Sequence, residues 1–84
     1  MTLPPTGGTS APQAAAARSC QAEPAQAVIG QSATASVVEQ ARQRAGAQSA
    51  RVLRPGQVVT LEFDASRLNL DVDASGGVVR VRCG

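Results

Sequence analysis

The alternation of apolar and polar positions is clearest late in the chain. In "RLNLDVD", residues 67–73, Leu68, Leu70 and Val72 fall on one side and Arg67, Asn69, Asp71 and Asp73 on the other, the period of a half-buried strand. "ASGG" supplies a turn, and "VVRVR" returns with Val79 and Val81 inward and Arg80 and Arg82 outward, so an antiparallel hairpin is expected. A shorter strand, "SARVL" at Ser49 to Leu53, is stopped by Arg54-Pro55-Gly56. Helical period appears once, in "SATASVVEQARQRAGA", where Val37, Ala41 and Ala45 recur every fourth residue with Val38 beside them. Ser32 or Ser36 is the expected cap, and Ser36 with Glu39 spells a capping box. Arg42 and Arg44 suit the negative end of the helix dipole, and Gly46 ends it. The segment after Cys20, "QAEPAQAVIG", is irregular.

These elements predict an α+β domain, one helix packed on a small three-stranded sheet. The expected core is aliphatic: Ile29, Val37, Val38, Ala41, Val52, Leu68, Leu70, Val72, Val79 and Val81. "VVTLEFDASRL", residues 58–68, fits less easily. Val59, Leu61 and Phe63 alternate with Thr60, Glu62 and Asp64 as in a strand, yet a cleaner alternation starts at Leu68 and "DAS" makes a poor turn between two strands. One reading is an edge strand, with the arginines on the sheet's outer side simply solvated. The other is an extended connection arching over Arg51, Arg67, Asn69, Arg80 and Arg82, its acidic groups held from beneath by guanidinium forks. Leu61 and Phe63 would then stand exposed, which is costly unless a partner covers them.

Length sets the scale. At 84 residues there is room for one domain; residues 1–19, rich in Pro, Gly, Ser, Thr and Ala, read as a flexible tail, leaving 20–84 to fold. A core this small is marginal. Cys20 and Cys83 bracket it, and a disulfide between them would contribute roughly 4 kcal/mol by closing nearly the whole domain; two free thiols are the alternative. A disulfide implies an oxidising compartment, so a secreted or periplasmic location is expected, with a signal segment already removed. "ARSC" is no lipid-attachment box, and no run is long enough to span a membrane.

The chemistry on offer is narrow. The net charge of +2 comes from eight arginines against six carboxylates, too small a surplus for nucleic acid, and stacking platforms are missing. With no His, Trp or Tyr, the usual general base and the usual metal ligand are both absent, so neither an enzyme nor a cofactor or metal site is expected. Asp71, Asp73, Ser75 and Gly76 mimic the first half of a calcium loop, but its twelfth position is Arg82 where a bidentate Glu belongs. A hairpin turn is the better reading.

At "VLRPGQVVTLEFDASRLNLDVD" the chain resembles the reactive loop and following strand of the potato inhibitor I family of serine protease inhibitors, which includes the barley chymotrypsin inhibitor. "IGQS", residues 29–32, resembles the approach to that family's helix. The chain is closer still to the small secreted fungal and bacterial elastase inhibitors, in which "RVLxPGxxxTxExxASRLNxxV" recurs with a Cys near each end; the resemblance covers Cys20 to Cys83. It implies a mixed sheet with a long exposed reactive loop between the first two strands. It also implies a substrate-like inhibitor of serine proteases, whose reactive bond is Leu61-Glu62. Leu61 would fill the primary pocket, Val58, Val59 and Thr60 would precede it, and Phe63 and Asp64 would follow on the leaving side. Arg67 would support the loop from below through Thr60 and Glu62. Asn69 stands where the potato and barley members carry a second supporting arginine, and Arg51 is the expected substitute. Leu61 implies apolar primary pockets, those of subtilisin-like, chymotrypsin-like or elastase-like enzymes, bound by a monomer. A reading from another class is an envelope-associated binding module that uses the same loop for a non-protease partner.

Overall fold

The computed structural model describes residues 20–57 and 62–84; the tail at 1–19 and Val58, Val59, Thr60 and Leu61 lie outside the described residues. A short 3-10 helix, Glu23–Val28, leads into helix α1, Ala35–Ala45, followed by strands β1 Ser49–Leu53, β2 Arg67–Val72 and β3 Val78–Cys83. The sheet has β2 at its centre. β1 runs parallel to it, with Ser49 opposite Arg67 and Leu53 opposite Asp71, and β3 runs antiparallel.

The parallel pairing dictates what joins β1 to β2. The chain leaves β1 at Leu53 and must travel back about 13 Å, four steps at a strand's rise, to begin β2 beside Ser49. A parallel crossover is usually a helix. Here Glu62, Phe63 and Asp64 are neither helix nor strand, and β2 already has both its neighbours. The described part of residues 58–68 ahead of β2 is therefore not an edge strand of this sheet.

Helix α1 is capped two residues before Ser36, by Thr34, whose Oγ1 accepts from the N–H of Val37 at 3.2 Å. Ser32 and Ser36, the expected caps, do other things. Ser32 bridges Gly77 across to the hairpin, and Ala33 donates to the Gly76 carbonyl, so the chain is held extended until Thr34. Ser36 falls inside the first turn, and Glu39 turns to Arg42 and Gln43 instead of closing a capping box. That pairing, led by the Arg42 hydrogen bonds, lowers the Glu39 carboxyl to about 2. The C-terminus closes as expected: Gly46 is left-handed at φ 66°, and Ala47 and Gly46 donate to the carbonyls of Arg42 and Gln43.

Ala41 and Ala45 are buried, and so are Ala25 and Val28 of the 3-10 helix packed against them. The core is completed by Ala47, Leu68, Leu70, Val72, Val78 and Val81, with Val37, Val38 and Val52 at its margin. Two expected core residues are exposed: Val79 at 53% and Ile29 at 40%. The cause at Val79 is a bulge. Val72 faces Val78 while Asp71 faces Arg80, so Val79 is the extra residue, and Val78 takes the inward position. Ile29 caps the 3-10 helix, its N–H reaching back to Gln26, and Val28 turns inward in its place. Cys20 and Cys83 are joined by a disulfide, with Cα atoms 5.7 Å apart, which removes the free-thiol alternative. Among the described residues, no helix is long and apolar enough to cross a membrane.

Candidate functional site

The outer side of the sheet carries the candidate site. Alternation along β2 turns Leu68, Leu70 and Val72 to the helix and leaves Arg67, Asn69 and Asp71 facing the connection from β1. Arg51 of β1 and Arg82 of β3 stand level with Asn69 on either side.

A chain of hydrogen bonds links the first strand to the far end of the connection. Arg51 Nε donates to Asn69 Oδ1 at 2.6 Å, and Asn69 Nδ2 donates to the carbonyl oxygen of Gly84 at 2.9 Å. Arg67 Nε donates to that same oxygen at 2.8 Å, and its Nη2 reaches the main-chain carbonyl of Glu62 at 3.1 Å. Asn69 is fully buried, a state tolerable only because its amide is satisfied at both ends. Gly84 is itself anchored, its N–H donating to the Arg67 carbonyl.

The far end of the connection, next to β2, is pinned at three further points. Asp64 Oδ1 accepts from the N–H and the hydroxyl of Ser66, at 2.9 and 2.7 Å, closing a tight side-chain turn. These bonds from Ser66, the hydroxyl's first, hold the Asp64 carboxyl below its ordinary range. The Asp64 carbonyl accepts from the N–H of Arg67, and the Ala65 carbonyl accepts from that of Cys20 at 3.0 Å, which couples the segment to the disulfide. Phe63 is 75% exposed, with one edge of its ring against Gly84.

Arg67, Asn69, Arg51, Glu62, Phe63 and Asp64 are thus brought together. Val58, Val59, Thr60 and Leu61, and with them the Thr60 contact expected of Arg67, lie outside the described residues. The detail of the acidic groups differs from the expectation. Arg67 grips the backbone of Glu62, and Asp64 is held by Ser66 rather than by a guanidinium. Arg80 and Arg82 serve Asp71 instead, their Nε atoms 2.8 and 3.1 Å from one carboxylate oxygen. Partial burial pushes Asp71 upward, but the hydrogen bonds and charges of Arg82 and Arg80 outweigh it and leave the carboxyl lowered. Asp73, of the calcium-loop resemblance, accepts from the Ser75 hydroxyl and from the N–H groups of Ser75 and Gly77, as a hairpin turn requires.

Gly84 was not foreseen, since a residue that acts through its carbonyl leaves no trace in a pattern of side chains. The Ser66 turn was legible in principle: Asp-x-Ser is a recognised local motif.

A segment braced at so many points can present backbone to a partner without further ordering. The elastase inhibitor AFLEI of Aspergillus flavus is 42% identical over 33 residues, 39% of this chain; the match spans about half of that relative, 48% of its length. The solved structure of the elastase inhibitor AFUEI superimposes with a TM-score of 0.59 at 34% identity, over 70% of this chain and 81% of that one. A bitter gourd trypsin inhibitor shares the fold, with a TM-score of 0.60 at 21% identity over 79% of this chain and 98% of that one. Residues 20–84 match the peptidase inhibitor I78 family, and the chain belongs to that family.

Proposed function

We propose that the protein inhibits serine proteases as a substrate that is gripped but not released, with Leu61-Glu62 as the reactive bond. The observation that carries this reading is the Arg67 fork, which ties the carbonyl of Glu62 to that of Gly84. Residues 20–84 form the inhibitory domain, in a monomeric protein with no catalytic group of its own. A secreted or periplasmic location suits the disulfide. The braced connection between parallel strands supports a relationship to potato inhibitor I.

A protease binds extended peptide by main-chain hydrogen bonds and side-chain pockets. Val58, Val59 and Thr60 lie along the cleft ahead of Leu61, which enters the primary pocket; Glu62, Phe63 and Asp64 lie beyond it. The part that is already braced, residues 62–66, spares some of the conformational cost that a flexible peptide bears on binding. The enzyme's serine attacks the Leu61 carbonyl in its oxyanion hole, and the acyl-enzyme forms as usual. The new amine of Glu62 then stays in place. Arg67 holds the adjoining carbonyl, Asp64 is locked to Ser66, and Ala65 is bonded to Cys20. The amine re-attacks the ester faster than water replaces it, and the peptide bond is restored.

An apolar residue at position 61 selects apolar primary pockets, so subtilisin-like, chymotrypsin-like and elastase-like enzymes are the targets. Arg51 and Asn69 act at one remove, by orienting the Gly84 carbonyl that Arg67 shares. Titrating each enzyme with the protein tests the reading. Stoichiometric loss of activity is expected with at least one, and trypsin should be spared. Micromolar protein that inhibits none of them would instead favour a binding module.

A further inference from the structure

Phe63 is the one aromatic residue of the chain, and three-quarters of it is exposed. Its position is nonetheless defined. A Cβ built on Gly84 would lie 2.9 Å from Cε1 and 3.0 Å from Cδ1 of the ring, so the edge of Phe63 rests where any larger residue would carry its side chain. Gly84 has a φ of 133°, a backbone region that L side chains rarely adopt, and its carbonyl is fixed by Arg67 and Asn69. The platform is therefore held by the same bonds that hold the leaving side of the reactive bond. A side chain placed this way does not serve the core, since the buried cluster is complete without it. An exposed aromatic group with one edge on an anchored backbone offers apolar area to a partner, and aromatic residues are enriched at interface cores.

We infer that Phe63 is a specificity-determining anchor for an apolar pocket on the leaving side of the target protease, two residues past the reactive bond, and that Gly84 is the residue that positions it. The inference rests on Leu61-Glu62 being the reactive bond. It adds a second selection to that made by Leu61: among enzymes with apolar primary pockets, those whose leaving-side pocket is also apolar are inhibited best. Position 84 must stay glycine for the ring to keep its place.

Four variants of the full chain decide the matter: Phe63→Ala, Phe63→Tyr, Gly84→Ala and the Phe63→Ala, Gly84→Ala double. Inhibition constants are measured against two subtilisin-type proteases, one with an apolar and one with a charged leaving-side pocket. Against the first, Phe63→Ala should weaken inhibition about thirtyfold, the effect that defines an interface hot spot, and Phe63→Tyr should restore it. Against the second, the loss should be about threefold or less, well below the hot-spot level. The thermal midpoint of Phe63→Ala should not move, because an exposed ring is removed. Gly84→Ala also strains the backbone whose carbonyl Arg67 and Asn69 hold, so it should weaken inhibition of both enzymes, the first by about tenfold more, and that excess should vanish in the Phe63→Ala background. Equal losses from Phe63→Ala on both enzymes, or none on either, would overturn the anchor. A Gly84→Ala excess on the first enzyme that persists without the ring would overturn the positioning role. If the parent protein inhibits neither enzyme, the reactive-bond reading fails first; a parent that inhibits while Phe63→Ala matches it sinks this inference alone.

Discussion

Replacing Arg67 with alanine removes the fork without opening the core. Its guanidinium contributes two hydrogen bonds, to the Gly84 and Glu62 carbonyls at 2.8 and 3.1 Å. Hydrogen bonds from a charged donor contribute about 1.5–3 kcal/mol each, and the partial exposure here argues for the low end, so about 3 kcal/mol of restraint is lost. Gly84 keeps its bond from Asn69 and no buried acceptor is orphaned, so the fold should survive. The cost therefore falls on the tether. About 3 kcal/mol corresponds to roughly a hundredfold shift between religation and escape. The assay mixes the variant with an equimolar protease that the parent inhibits, follows residual activity over hours, and measures scission after Leu61 by mass spectrometry. The parent should stay inhibitory, whereas Arg67→Ala should first inhibit and then be consumed. If Arg67→Ala inhibits as long as the parent, with no more nicked chain, the tether explanation is wrong.

Leu61→Arg should move inhibition from apolar-pocket enzymes to trypsin; an unchanged profile across the two classes would remove Leu61 from the primary position. Asn69→Ala strips a fully buried amide from between Arg51 and Gly84, and unmet buried hydrogen-bonding groups cost about 1–3 kcal/mol each. Its midpoint in thermal unfolding should fall by about 10 °C, at 4–8 °C per kcal/mol for a domain of this size, and a shift under about 2 °C would contradict the network. Asp64, Asp71 and Asp73 are all held below their ordinary values. A lowered folded value means stability that is complete above the unfolded value, about 4, and lost as pH falls through the folded one. Urea midpoints should be level from pH 7 to about 5 and decline below about 4; a protein equally stable at about pH 2 would refute those carboxylate contacts.

Sequence periodicity locates the helix and all three strands because each buries one face against the others, and burial is what a period of 3.6 or 2 records. It does not record register. One extra residue at Val79 exchanges inward and outward positions, and nothing in "VVRVR" distinguishes Val78 from Val79 as the bulged residue. The helix cap moved from Ser32 or Ser36 to Thr34 because a contact distant in sequence, Ser32 with Gly77, sets where the extended chain ends. Arg67, Asn69 and Arg51 were legible as candidates through alternation and resemblance, but not Gly84, the partner that Arg67 and Asn69 share. The bonds that matter go to the carbonyls of Gly84, Glu62 and Ala65, and backbone acceptors are the same at every residue.

The central claim is that the leaving side stays in place after the bond is cut, so that the protease can remake it. The direct measurement starts from protein already nicked between Leu61 and Glu62, its two pieces still joined through Cys20 and Cys83. Incubated with a catalytic amount of a protease that the intact protein inhibits, the nicked form should regain the continuous chain. Intact and nicked samples should converge on one ratio by mass spectrometry. If the nicked form never rejoins, or is degraded further while the enzyme stays free, the braced loop does not do what is claimed for it.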